Sequence, residues 1–153
     1  IGKIQSDGGA TNVIPDRVRL EGTLRAMNET WREEAHVKIR QVTEGLCTAS
    51  GARAEVSILK GYPCLINDEE VTSFCRKAAV DYLGADKVHE LPQRMTSEDF
   101  AFYSQHVPSC FYRLGTGGED PAKNYPVHSS QFDIDERALE TGMGLMAYIA
   151  MCR

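Results

Sequence analysis

No apolar run among the 153 residues approaches the roughly 18 to 20 that a membrane-spanning helix needs. No basic stretch leads into a short apolar one, so no secretory signal is visible. Cysteine occurs five times, at Cys47, Cys64, Cys75, Cys110 and Cys152, and never as a CxxC pair. That density is too low for a disulfide scaffold, and the spacing is too wide for a local structural zinc site. An odd count also leaves at least one thiol unpaired within the chain. Reduced, mostly buried thiols in a cytoplasmic protein are the expectation. Positive charge is in deficit: 17 Lys and Arg stand against 22 Asp and Glu, a formal charge of −5. That balance speaks against nucleic acid as a partner, because phosphate binding draws on clustered Lys and Arg. Repeats and low-complexity segments are absent.

What is present is ordinary for a folded, water-soluble chain, with 42% hydrophobic and 25% charged residues. The length suits one domain or two small ones. The first residue is Ile1 rather than Met. The expectation is that a leader was removed or that this is a piece of a longer polypeptide.

Residues 1–26 read as two strands around a turn at Asp7-Gly8-Gly9. In the second, Val18, Leu20, Gly22 and Leu24 alternate with Arg17, Arg19, Glu21, Thr23 and Arg25, the pattern of a half-buried strand. Asn28 is a suitable N-cap for a long helix, with Glu29, Glu33 and Glu34 near its positive end. Ala35, Ile39, Val42 and Leu46 form its apolar stripe, and Gly51 suits its end. Ala54, Val56 and Ile58 then alternate with polar residues as a further strand. Gly61-Tyr62-Pro63 breaks the pattern and marks a boundary. Beyond it, Asp68 caps a helix ended by Gly84, and Val88 to Leu91 is a short strand candidate. Ser97 is read as the cap of a short helix running to Gln105. Phe111 to Leu114 reads as a strand entering the loop Gly115 to Gly118, and a last helix covers roughly Asp135 to Met151.

Several residue types here can carry chemistry. His128 lies in an irregular stretch, where binding groups concentrate, and imidazole is both a common metal ligand and a proton carrier. No second ligand sits at local spacing, so a plain surface histidine is the competing reading. Glu98 and Asp99 are adjacent carboxylates that serve equally as favourable charges in a helix's first turn. Gly115, Thr116 and Gly117 could offer backbone N–H groups to an anion, but the Gly-Lys-Ser/Thr ending of a phosphate loop is missing. Asn12 can donate to a carbonyl, and Arg25 can grip a carboxylate with two parallel bonds. Asn12 in a turn and Arg25 on a wet sheet face are the bland alternatives.

Taken in order, these blocks match a family. Gly8-Gly9-Ala10-Thr11-Asn12-Val13-Ile14-Pro15-Asp16, followed by Gly22-Thr23-Leu24-Arg25, resembles the lid segment of the metal-dependent aminoacylase and carboxypeptidase family. Met95-Thr96-Ser97-Glu98-Asp99-Phe100-Ala101, then Phe111-Tyr112-Arg113-Leu114-Gly115-Thr116-Gly117, is similar to its amidohydrolase branch, which includes hippurate hydrolases and hydrolases of auxin–amino-acid conjugates. Val127-His128-Ser129-Ser130-Gln131-Phe132-Asp133 resembles that branch's last metal-ligand motif. Ser109 stands where the branch usually has Gly, and Ser130 where it usually has Pro.

The resemblance implies an α/β fold in two parts. Residues 1–62 correspond to the latter part of an α+β lid, or dimerisation, domain, in the order strand, strand, helix, strand. Residues 63–153 correspond to the C-terminal part of an α/β zinc-peptidase-like catalytic domain. It implies a hydrolase in which two divalent metal ions, zinc, manganese or similar, acidify a water. A glutamate takes its proton, and the hydroxide attacks the amide carbonyl of an N-acyl amino acid or small peptide. That glutamate is expected upstream, so this chain carries no catalytic residue of its own. His128 is implied as a metal ligand. Asn12, Arg25, Gly115, Thr116 and Gly117 are implied as substrate-binding residues, and Glu98 and Asp99 as groups that orient the site. A homo-oligomer joined through the lid is also implied. The 153 residues alone are then expected to be inactive. The alternatives are a non-catalytic assembly or binding module derived from the same fold, and an acetyltransferase-like or nucleotide-binding domain using the Gly115 loop.

Overall fold

The computed structural model describes residues 1–121 and 124–152. The chain divides into two compact units, residues 1–64 with 95–97, and residues 65–94 with 98–153.

In the first unit, β1 (Lys3–Ser6) and β2 (Val18–Glu21) form an antiparallel hairpin with Lys3 opposite Glu21 and Ile4 opposite Leu20. Two further backbone bonds lengthen the ladder, Gly2 N–H to Glu21 O at 2.8 Å and Asp7 N–H to Arg17 O at 3.0 Å. The alternation of β2 predicts one buried face, but Ile4, Val18 and Leu20 are all exposed. A two-stranded hairpin with nothing stacked on it shows both faces to water.

Helix α1 (Glu29–Ala49) starts where its cap predicts, with Trp31 N–H donating to Asn28 Oδ1 at 2.9 Å. It ends in a Schellman motif. Ala52 N–H reaches Cys47 O at 2.8 Å, Gly51 N–H reaches Thr48 O at 3.1 Å, and Gly51 takes φ 72°. Residues 53–58 keep the expected alternation, with Ala54, Val56 and Ile58 half-buried and Arg53, Glu55 and Ser57 exposed. They form no strand, however, because alternation fixes faces while a strand also needs a hydrogen-bonded neighbour. Instead the segment is fastened to α1: Arg40 Nη1 donates to Val56 O at 2.7 Å, and Lys60 pairs with Glu33. Arg32, the buried residue of α1, donates to Tyr62 O at 2.7 Å and to Glu29 Oε2 at 2.5 Å. Cys64 N–H completes this clamp on Glu29 Oε1 at 2.8 Å. Burial works to raise the Glu29 carboxyl, but the hydrogen bonds from Cys64 and the charge of Arg32 outweigh it and hold it below its usual range.

The second unit contains α2 (Glu69–Leu83), α3 (Ala101–Ser104) and α4 (Arg137–Met151). Asp68 caps α2 through Val71 N–H at 2.9 Å, and Gly84 at φ 94° ends it. A 3-10 turn, Ala85–Lys87, follows, and residues 88–91 form no strand. Nor do residues 111–114. The backbone of Phe111 is claimed by a side chain: its N–H donates to Asn67 Oδ1 at 2.8 Å, and its C=O accepts from Asn67 Nδ2 at 3.0 Å. An asparagine amide here takes the place of a neighbouring strand. Ala78, Ala101, Ala138 and Leu145 are the buried apolar residues, and the rings of Tyr82 and Tyr148 meet at 5.4 Å between α2 and α4. No helix among the described residues is long and apolar enough to cross a membrane.

The α2–α4 contact depends on glycine. A Cβ on Gly144 would lie 2.0 Å from the Tyr82 hydroxyl, inside any permitted distance. Gly144→Ala is therefore expected to destabilise the chain by about 1–3 kcal/mol through overpacking, despite alanine's better helix propensity. Urea denaturation checks this. The loss should shrink in Gly144→Ala with Tyr82→Phe, because the clashing oxygen is gone. An additive double mutant would contradict the contact.

Candidate functional site

Asn12 lies in the connection between β1 and β2, just inside a turn closed by Val13 N–H to Ala10 O at 3.3 Å, and it is exposed. Arg25 is also exposed. Alternation places it at the end of a strand, but β2 stops at Glu21, so Arg25 stands on the link into α1. The reason is again pairing: β1 supplies partners only for Val18 to Glu21. Glu98 and Asp99 precede α3 rather than occupying its first turn. Helix α3 begins at Ala101, Phe100 holds the N-cap position, and no side chain caps it, so Ser97 is not a cap.

Gly115, Thr116 and Gly117 form a loop whose glycines do not use left-handed backbone, since positive φ among the described glycines is confined to Gly8, Gly51 and Gly84. The loop is fixed from outside. Asp135 N–H donates to Thr116 O at 2.9 Å, and Asn124 bonds both backbone groups of Gly118. Asp135 is in turn gripped by Arg137, whose Nε lies 3.0 Å from both carboxylate oxygens, while Arg137 Nη1 reaches Glu119 at 2.9 Å. These bonds hold the Asp135 carboxyl down to about 2 and push the Arg137 guanidinium up. Asn124, Asp135 and Arg137 escape a sequence reading because nothing at local spacing links them to the glycines.

His128 is exposed and lies in a turn closed by Ser129 N–H to Pro126 O at 3.0 Å. Its φ of 76° is the one positive value among described residues other than glycine. Such a backbone is disfavoured for a side chain with a Cβ, and outliers of this kind gather at functional sites. His128→Gly is expected to be more stable than His128→Ala by about 1–2 kcal/mol, the usual cost of a Cβ in left-handed backbone. Equal denaturation midpoints for the two variants would contradict the strain.

Among the described residues no three His, Cys, Asp or Glu side chains gather into a group that could hold a metal ion. A lone exposed imidazole does not fit a two-metal centre, so no chemical step through metals is derived from this chain. None of the five cysteines forms a disulfide.

Residues 4–151 match the family model for peptidase family M20/M25/M40. A probable hydrolase from Synechocystis is 36% identical over 150 residues, covering 95% of this chain and 37% of that protein. N-acetyldiaminopimelate deacetylase from Leuconostoc citreum is 36% identical over 152 residues, covering 95% and 36%. Among solved structures, a dinuclear metal-binding M20 peptidase, the YXEP protein of Bacillus subtilis, superposes with a TM-score of 0.78 at 32% identity, covering 97% of this chain and 39% of that one. The chain thus spans little more than a third of the length of these relatives, and its fold is that of part of an M20 peptidase. With the match running through nearly every described residue, the chain belongs to peptidase family M20/M25/M40.

Proposed function

We propose that this chain is part of a metal-dependent hydrolase that cleaves the amide bond of N-acyl amino acids or small peptides. Residues 1–62 form the latter part of its lid and dimerisation domain, and residues 63–153 the C-terminal part of its catalytic domain. The observation that carries the proposal is the family match across residues 4–151, together with relatives named as deacetylases, amidohydrolases and carboxypeptidases. The chemistry of the exposed side chains agrees. Arg25 presents a guanidinium fork that suits the free carboxylate of an amino acid, and Asn12 an amide that suits a carbonyl. Gly115, Thr116 and Gly117 form a wall without bulky side chains, against which an acyl group can lie. Glu98 and Asp99 orient neighbouring groups. His128 is the imidazole available to a metal such as zinc or manganese, whose other ligands and whose general base this chain does not bring together. The working enzyme is a cytoplasmic homo-oligomer joined through residues 1–62.

A chimera tests this. The 153 residues replace the matching 39% of the Bacillus subtilis YXEP protein, and hydrolysis of N-acetyl amino acids is assayed. The expected result is metal-dependent turnover that His128→Ala abolishes. Arg25→Ala should raise KM by about tenfold or more, the size of a lost hydrogen bond to a charged group. A folded chimera whose turnover ignores both substitutions would refute the assignments. A folded chimera with no turnover would favour a binding module derived from the fold.

A further inference from the structure

The Gly115–Gly118 loop owes its shape to side chains outside the motif that contains it. Asn124 donates from Nδ2 to Gly118 O at 3.2 Å and accepts the Gly118 N–H on Oδ1 at 2.9 Å. One amide therefore satisfies both backbone groups of one loop residue. Its place is matched to a missing side chain: a Cβ on Gly117 would come 3.1 Å from Asn124 Nδ2 and 3.2 Å from its amide carbon. On the other side of Gly117, Thr116 O is fastened to Asp135 N–H, two residues before α4 begins. Gly117 is thus pinned through both of its neighbours, while Gly115 has open space where a Cβ would stand.

Glycine loops sample many backbone states, and freezing them costs more entropy than freezing other residues. A binding wall built from such a loop needs outside ties if it is to be ready before substrate arrives. We propose that Asn124 is a positioning residue that holds the Gly115–Gly117 loop in its binding shape. The wall then meets the acyl group already formed. This rests on the reading of Gly115 to Gly117 as a wall of the substrate pocket. It adds to that reading the residue that sets the wall and the reason for glycine at position 117.

The test uses the 153-residue chain and backbone NMR relaxation. In Asn124→Ala the order parameters of Gly117 and Gly118 should fall from the rigid value of about 0.85 to below about 0.6. Asn124→Asp keeps the acceptor for Gly118 N–H and loses the donor, so it should fall between the two, a partial rescue that a general loss of fold would not give. Millimolar N-acetyl amino acid added to the unsubstituted chain should shift the Gly115 to Gly118 amide signals. Unchanged order in Asn124→Ala would overturn the positioning role itself. A loosened loop whose glycine signals ignore the ligand in the unsubstituted chain would overturn it differently, by removing the pocket wall while leaving the tie.

Discussion

Purified residues 1–153 are expected to scatter light at micromolar concentration as a dimer or larger species, not as a 17.0 kDa monomer. The accessible surface is 12784 Å², whereas a folded monomer of this mass presents roughly 7,700 Å² by the usual size scaling. Large apolar side chains are exposed in both units, and those of the first unit include hairpin and helix positions. Ile4, Val18 and Leu20 are 68%, 53% and 55% exposed on the hairpin, and Val42 and Leu46 are 56% and 66% exposed on α1. Burying such surface is worth roughly 25 cal/mol per Å², so a few hundred Å² amounts to several kcal/mol. A stable interface needs only about 1,200–2,000 Å² in total. The hairpin's outer edges add unpaired N–H and C=O groups that invite another strand. Leu20→Lys with Val42→Lys should shift the population toward monomer. A clean monomer with sharp, cooperative unfolding would contradict the expectation.

What the sequence made legible was what is decided within a few residues. Asn28 and Asp68 cap the helices their positions suggest, and Gly51 and Gly84 end them with positive φ. Strands were legible only where a partner lies close along the chain, as in the β1–β2 hairpin. Residues 53–58 show a strand's alternation without a ladder, and Phe111 gives its backbone to Asn67, a pairing no local pattern announces. The candidate site divides in the same way. The glycine loop and His128 stand out as motifs, but the groups that shape them do not. Asn124 and Asp135 act through backbone atoms of residues outside their own motif, and the left-handed φ of His128 is not announced by its type alone.

On the proposed function, this chain supplies part of a hydrolase site, not the whole. Amide hydrolysis by metal-activated water needs a gathered set of ligands and a base within reach of that water. Here His128 stands apart from any such group among the described residues, and the carboxylates Glu98 and Asp99 precede a four-residue helix without joining one. The effect expected from this is complete loss of turnover rather than slowed turnover, because neither the nucleophile nor its base is assembled. The direct measurement is an assay of purified residues 1–153 with N-acetyl amino acids and saturating zinc or manganese, run beside a His128→Ala control. No release of free amino acid above background is expected in either sample. Sustained release that a chelator stops and His128→Ala abolishes would contradict it, by showing that these 153 residues assemble a working centre unaided.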